Sequence, residues 1–468
     1  MKFLNLTKNT IYLADIDSYL LFREGCYDYL DSEQIKKSKS FQLLVKMGKI
    51  GVLEIDESRI ERNLKGLYDD YLIKQSLNVL AESDIETHSV TEKPGMNVKI
   101  KGHFEDAGGY AKVNRNAAFG LDALGVNVFI ETVGNANDLT EIEAAKIARY
   151  KKTPPRKCIN IDSIVPSFSN LSTGIYNILY TTIESYTIPK QFVEATKAYN
   201  EIWVVSDFCK EVLEKYDVKQ KIFVMPDGID LNLYKEDGDK YNFRPELNPF
   251  VFLSVFGWSY RKGYDVLLKA YLKEFSGDDS VSLLIMSRFH NNAKQDQVIR
   301  GGVQEFIDKY GGDNPAHVAR CSQVVPEGLM PSLYRACNAY VCFPRGEGYG
   351  YPFVESSLCG LPVVATNATG QAMFLKHDNS YLLEPDKIEN IPPGLMHVHY
   401  WNNQRMLILT ADKTIETAGK LMREVFDNHN IAREKNKKLQ SFVKERFDMR
   451  VTSKKIYDRL AVIWKNIS

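Results

Sequence analysis

The sequence predicts an α/β protein built from two doubly wound, Rossmann-like domains in tandem, preceded by a small α/β module. Three observations carry this. The chain has 468 residues, short apolar runs alternate with helical patterns from about residue 97 onward, and a polar segment divides those runs into two series. At a typical size of roughly 150 residues per domain, that length asks for about three units. With 44% hydrophobic and 26% charged residues, the chain has apolar material for more than one core.

Residues 1–95 form the preface. TIYL (10–13) and GVLEI (51–55) read as strands. Asp31-Ser32-Glu33-Gln34 can cap a helix running to about Met47, and the spacing of Ile60, Leu64, Leu67 and Tyr71 predicts another after Asp56. No chemical motif falls in this stretch. At NVKIKGHF the pattern changes to strand, glycine-rich loop (EDAGGYAK, 105–112), a helix through Asn114 to Leu124, and a strand at 126–130, with Gly125 as the helix stop. Further strands are expected at 157–161, 178–182, 201–205 and 221–225, so the first large domain spans 96–240.

A Pro226-Asp227-Gly228 turn and the polar segment YKEDGDKYNFRPELNP lead into the second large domain, 241–445. Its strands FVFLSVF (250–256), SLLIM (282–286), AYVCF (339–343) and PVVA (362–365) are continuous apolar runs, as parallel strands covered on both faces require. Residues 446–468 form a final helix, with Ile456, Leu460, Ile463, Trp464 and Ile467 on one face, expected to cross back onto the first large domain.

Composition narrows the function. Lys plus Arg number 60 and Asp plus Glu number 60, so no global field favours nucleic acid or an anionic membrane. The basic run Lys151 to Lys157 holds two prolines and reads as a solvated loop. Seven cysteines (26, 158, 209, 321, 337, 342, 359) include no CxxC pair, which speaks against a disulfide framework or zinc ribbon and for reduced thiols in the cytoplasm. The N-terminus is interrupted by Asn, Lys and Asp too early for a signal segment, and no apolar run is long enough to span a membrane. His397 and His399 alternate but have no third ligand close in sequence, so no metal is expected. The Lys-, Asn-, Ile- and Tyr-rich composition is compatible with a bacterial or phage origin.

The chemistry concentrates in PRGEGYGYPFVESSLCGLPVVAT, residues 344–366, organised as glycine loop, helix, glycine, strand. Gly346, Gly348 and Gly350 allow the backbone near a ligand, and Pro352 suits the first turn of a helix whose free N–H groups can face a phosphate. Glu355 lies about one turn inside that helix, within reach of ribose hydroxyls, while Glu347 sits in the loop. A second segment, SVFGWSYRKGYDVLLKAY (254–271), places Arg261 and Lys262 between a strand and a helix, where two cations can neutralise a departing diphosphate.

On these residues the chain resembles family 4 of the retaining glycosyltransferases, in which two glutamates separated by seven residues bind the donor sugar and the ribose. Glu347 and Glu355 match that spacing, and CGLPVVAT and the Gly-Tyr-Gly between the carboxylates match its flanks. The resemblance covers about residues 97–468. It implies a GT-B fold, with two Rossmann-like domains facing across a cleft, and a metal-independent transfer of sugar from a nucleotide donor (UDP-, GDP- or another sugar) with retention of configuration. No cofactor is implied.

Carried over residue by residue, Glu347, Lys262 and Arg261 become the catalytic set, with Arg261 substituting for an arginine the family often has where Trp258 stands. Glu355, Gly348, Tyr349, Gly350, Tyr351 and Val325 bind the donor, Val325 with Val324 and Pro326 beside the base. Gly108, Gly109, Tyr110 and Glu184 fall on the acceptor side of the cleft. A glycan, a lipid-linked sugar, a protein and a modified nucleobase all stay open as acceptor, as do peripheral membrane contact and oligomeric state. Two rival readings share the architecture: a nucleotide-sugar epimerase or phosphorylase, and a non-catalytic sugar-nucleotide binder that assembles through the preface.

Overall fold

The computed structural model describes strands at residues 2–5, 11–13, 18–20, 28–29 and 50–53, and residues 95–467 apart from 135–137, 167–173, 244–246, 289–294, 323–324 and 392–403. The chain forms two compact units: Met1–Thr91 with Asp138–Ala148 and Tyr241–Glu246, and Glu92–Asn137 with Arg149–Lys240 and Leu247–Ser468.

In the first unit, β1 (Lys2–Asn5) pairs antiparallel with β4 (Asp28–Tyr29) and β5 (Ile50–Leu53), and β2 (Ile11–Leu13) pairs with β3 (Ser18–Leu20). Strands β2 and β5 fall within or beside the runs expected at 10–13 and 51–55. The helices expected to Met47 and after Asp56 lie outside the described residues, as do His397 and His399. Helix α2 (Glu141–Ala148) opens on a capping box: the Thr140 N–H donates to Glu143 Oε2 at 2.8 Å, and the Glu143 N–H donates to Thr140 Oγ1 at 3.3 Å.

The second unit contains both doubly wound sheets. The first holds β6 (Asn97–Gly102), β7 (Asn127–Thr132), β8 (Ile159–Ser163), β9 (Tyr176–Thr181), β10 (Glu201–Val204) and β11 (Lys221–Val224), all parallel, in the order β11-β10-β9-β8-β6-β7. Helices α1 (Gly109–Ala123), α3 (Lys190–Thr196) and α4 (Asp207–Glu214) connect its strands. The helix expected through Asn114 begins at Gly109, because the extended Gly108 serves as its N-cap, with its own N–H held by Asp106 Oδ1 at 2.6 Å. Ser206 caps α4, accepting from the Cys209 N–H.

The second sheet holds β12 (Phe250–Gly257), β13 (Val281–Arg288), β14 (His317–Cys321), β15 (Ala339–Cys342), β16 (Val363–Thr366) and β17 (Tyr381–Leu383), again all parallel, in the order β14-β13-β12-β15-β16-β17. Its winding helices are α5 (Tyr264–Glu274), α6 (Gln295–Tyr310), α7 (Met330–Arg335) and α8 (Tyr351–Leu358). Every residue of β15 and β16 is buried, which is why these strands read as unbroken apolar runs. A hairpin of β18 (Lys387–Asn390) and β19 (Arg405–Ile408), not anticipated from the sequence, follows the sheet.

Helices α9 (Asp412–Asp427), α10 (His429–Arg446) and α11 (Met449–Ile467) end the chain. Helix α11 lies on α1 of the first sheet: a Cβ on Gly120 would sit 1.9 Å from Ser453 Oγ, so only glycine permits this contact. Two strands of backbone meet where the chain crosses: the Ile229 N–H donates to Phe447 O at 2.8 Å and the Met449 N–H to Ile229 O at 2.9 Å.

The strand orders locate the reactive ends of both sheets. In an open α/β sheet, ligands bind beyond the carboxyl ends of the strands where the order reverses. That point lies between β6 and β8 in the first sheet and between β12 and β15 in the second. The loops leaving these strands carry Gly108 and Tyr110 on one side, and Lys262 and Glu347 on the other.

Candidate functional site

The loop after β12 makes a short helical turn, Tyr260–Lys262, and the loop after β15 runs from Phe343 to Gly350, which caps α8 with φ of 98°. Parallel pairing of β12 with β15 sets the two loops side by side. The Lys262 ammonium binds Glu347 Oε1, and Arg261 Nη1 donates to the same oxygen at 3.3 Å and to Gly346 O at 2.7 Å. From the first sheet, Glu184 on the loop after β9 reaches Arg261 Nη2 at 3.0 Å. The expected catalytic trio and the expected acceptor-side carboxylate therefore form one cluster.

Electrostatics divide the two carboxylates. Burial pushes the Glu347 carboxyl up, but Lys262 and Arg261 more than reverse this and hold it below the ordinary range, so it is anionic. Burial also dominates for Glu184, and with the Glu347 charge nearby it outweighs Arg261, holding that carboxyl above the ordinary range.

Glycine at 346 and 348 answers a close approach between protein segments. A Cβ would fall 1.9 Å from Glu184 O at Gly346 and 1.6 Å from Thr182 Oγ1 at Gly348. The Ser206 hydroxyl donates to Gly348 O at 2.7 Å, and the Tyr110 hydroxyl accepts from the Thr182 N–H at 3.1 Å. Gly108 thus caps, and Gly109 and Tyr110 begin, the helix that meets the Thr182 segment packed against Gly348. Tyr349 and Tyr351 point elsewhere, their hydroxyls donating to Asp227 O at 2.8 Å and Gly228 O at 3.4 Å at the inter-sheet crossing.

Glu355 stands at a second cluster. Its Oε1 accepts from the Lys112 ammonium and its Oε2 from the Tyr334 hydroxyl at 2.7 Å. Lys112 also meets Glu327 at 3.0 Å, and Arg115 reaches Glu327 at 3.2 Å. Val325, half-buried, lies two residues before Glu327 on the loop after β14.

Sequence reasoning missed several of these residues. Arg345 is fully buried; it grips Asp265 through two bonds of 2.7 Å, stacks 3.6 Å from the Tyr260 ring centroid and donates to Tyr260 O at 2.8 Å. Its backbone N–H donates to Arg261 O at 2.6 Å, so one residue ties the cationic turn to the glutamate loop. Behind it, the Leu407 N–H of β19 donates to Arg345 O at 3.1 Å. Thr369 adopts φ 63°, ψ −152°, a region that non-glycine residues seldom occupy. From there its Oγ1 accepts the Glu347 N–H at 3.1 Å, while the Gly370 N–H donates to Glu347 O at 2.8 Å. Trp258 packs, stacking on Tyr264 with ring centroids 4.2 Å apart. A charged residue inside an apolar strand exit is the only sequence signal for Arg345, whose partner is 80 positions away.

Among the described residues, no group of three or more His, Cys, Asp or Glu side chains could hold a metal ion. No described helix is long and apolar enough to cross a membrane.

Two parallel sheets with helices on their flanks, meeting across a cleft at their switch points, define a GT-B architecture. Residues 248–392 match the family model described as glycosyl transferases group 1. The chain is similar to D-inositol 3-phosphate glycosyltransferase of Segniliparus rotundus, with 28% identity over 160 residues, 32% of this chain and 33% of that protein. The chain thus spans about a third of the length of that curated relative. Among solved structures it is similar to sucrose-phosphate synthase from Thermosynechococcus elongatus, with a TM-score of 0.57 at 14% identity over 80% of this chain and 100% of that one. It is also similar to Anabaena HepE in complex with UDP and glucose, with a TM-score of 0.53 at 15% identity over 79% of this chain and 100% of that one. At such identities the structural likeness establishes the fold.

Proposed function

We propose that this protein is a metal-independent glycosyltransferase that moves a sugar from a nucleotide donor to an acceptor hydroxyl with retention of configuration. One observation carries the reading: Lys262 and Arg261, at the switch point of the second sheet, converge on anionic Glu347 opposite Glu184 of the first. Two cations and an anion in a buried cleft suit a substrate that carries a diphosphate and a polyhydroxylated ring. The family match over 248–392 covers both loops, and the UDP and glucose held by HepE are of this chemical class.

In this reading Glu347 binds the sugar hydroxyls, Glu355 the ribose, Val325 the base region, and Lys262 with Arg261 the diphosphate. Gly348, Tyr349, Gly350 and Tyr351 shape the loop between the two glutamates. The acceptor oxygen bonds to the anomeric carbon as the bond from that carbon to the phosphate oxygen breaks. The electron pair leaves on the diphosphate, which the two cations stabilise, and the acceptor proton passes to the departing phosphate on the same face. The acceptor lies against Gly108, Gly109, Tyr110 and Glu184. Free thiols at the buried Cys158, Cys209, Cys337, Cys342 and Cys359 accord with residence in the cytoplasm.

The test is donor turnover on a panel of UDP- and GDP-sugars with acceptor extracts, read by mass spectrometry. Lys262→Ala and Glu347→Ala should each lower turnover by about 10²- to 10³-fold. Turnover near wild type in both would sink the assignment. Free epimer or sugar phosphate in place of a glycosylated product would replace transfer by epimerisation or phosphorolysis.

A further inference from the structure

An ammonium occupies the carboxylate that the donor reading gives to the ribose. Lys112 Nζ has three N–H donors and three partners: Glu355 Oε1, Glu327 Oε1 at 3.0 Å and the Tyr234 hydroxyl at 2.7 Å. The rings of Tyr234 and Tyr351 lie 4.4 and 5.0 Å from it, closing the remaining sides with π faces. The side chains of Lys112 and Glu355 are 11% and 6% exposed. With Tyr334 on its other oxygen, Glu355 is engaged at both ends. The contact crosses the cleft, since Lys112 rides on α1 after the first sheet and Glu355 on α8 of the second.

A ribose diol would need to displace this ammonium, and a buried cation stripped of its carboxylate would be strongly disfavoured. The arrangement avoids that state. Glu327 already touches Lys112 and carries a second cation, Arg115, one helical turn along the same face. Lys112 can therefore release Glu355 and remain paired. Burial opposes the charge on Lys112, but Glu327 and Glu355 more than restore it.

We infer that Lys112 is a donor-displaced occupant of the ribose subsite: it reaches across the cleft to Glu355 and passes to Glu327 when a ribose arrives. The inference rests on the reading of Glu355 as ribose partner. It makes Lys112 and Glu327 positioning residues that set nucleotide affinity, and it couples donor entry to the contact between the two sheets.

Calorimetric titration of the full chain with UDP and with GDP tests this. Lys112→Met frees Glu355 and should tighten the nucleotide about tenfold. Glu327→Gln removes the alternative partner and should weaken it severalfold. The double variant K112M/E327Q, which loses one charge of each sign and so guards against misfolding, should bind as tightly as K112M alone, the Glu327 effect having vanished. 2′,3′-Dideoxy-UDP cannot replace an ammonium on Glu355 and should gain nothing in either Lys112 variant.

If wild type binds UDP or GDP while K112M and the double variant bind it equally or more weakly, the inference falls and the donor reading stands. An equal gain for the dideoxy probe overturns it as well. If neither wild type nor variants bind either nucleotide, the donor reading falls and takes this inference with it.

Discussion

The two switch points of this molecule are built from different materials. Beyond β12 and β15, two loops that pair through adjacent parallel strands bring Arg261, Lys262 and Glu347 together, and a buried arginine clamps them. Beyond β6, the corresponding loop holds a glycine cap and a His103–Asp106 pair at 3.0 Å, with Tyr110 turned toward Thr182. The strand orders differ too: the second sheet runs 3-2-1-4-5-6 in its own numbering and the first 6-5-4-3-1-2. The difference teaches that the switch point of the second sheet has its charged groups built into short segments of its own. That of the first takes shape only against its partner, through Glu184 on Arg261 and the Thr182 segment on Gly348.

The sharpest way to break this contrast is to remove the clamp. Arg345→Met would leave Asp265 without its bidentate partner and free the Tyr260–Lys262 turn. Removing one partner of a buried ion pair costs about 3–5 kcal/mol, and urea unfolding should show a loss of that order. Nucleotide affinity should fall with it, whereas Arg345→Lys should recover part of both. A stable Arg345→Met protein with wild-type affinity would show that the loops after β12 and β15 hold their geometry without the clamp.

A second effect belongs to the crossing between the sheets. Burial pushes the Asp227 carboxyl up to about 7 from an ordinary 3.8, although the Tyr180 hydroxyl, donating to it at 2.6 Å, works the other way. The folded protein thus binds a proton more tightly than the unfolded chain. The stabilisation is complete below about pH 4 and is lost as pH rises through 7. Asp227→Asn should flatten that part of the stability profile, by an amount on the order of a few kcal/mol, as measured by chemical unfolding from pH 4 to 8. An unchanged slope would assign the pH dependence to other groups.

The smallest effect tests the proposed acceptor role of Glu184 alone. Glu184→Gln keeps the shape of the side chain and the close contact at Gly346 but replaces the titratable carboxyl facing Arg261 with a neutral amide. Acceptor-dependent transfer should fall roughly tenfold, chiefly in the acceptor KM, while donor hydrolysis changes by no more than about twofold. An equal fall in both would move Glu184 to the donor side and erase the contrast between the two switch points.

Legibility followed the same division. Strands β12, β13, β15 and β16 could be read because both faces are covered, so each is an apolar run with no polar alternation to confuse it. The helix stop at Gly125, which has φ of 85° and whose N–H donates to Asp122 O at 2.9 Å, could be read because capping is a contact within four residues. Lys112 could be seen at the end of the glycine-rich loop, but nothing near it in sequence indicated that its acceptors would be Glu327 and Glu355, more than 200 positions away. Thr369 was silent for the same reason, since its unusual backbone serves a residue 22 positions earlier.

By itself, the amino-acid sequence determined the two doubly wound sheets and the placement of Glu347 in a loop and Glu355 one turn into a helix. Periodicity, caps and spacing act over a few residues and survive without a fold. Tertiary structure alone decided which charges meet: that Lys262 and Arg261 neutralise Glu347, that Arg345 binds Asp265, and that Lys112 occupies Glu355. Ion pairs depend on distances of a few ångströms and on the exclusion of water, and neither exists until β12 has paired with β15 and, for Lys112 and Glu355, until the two sheets have met.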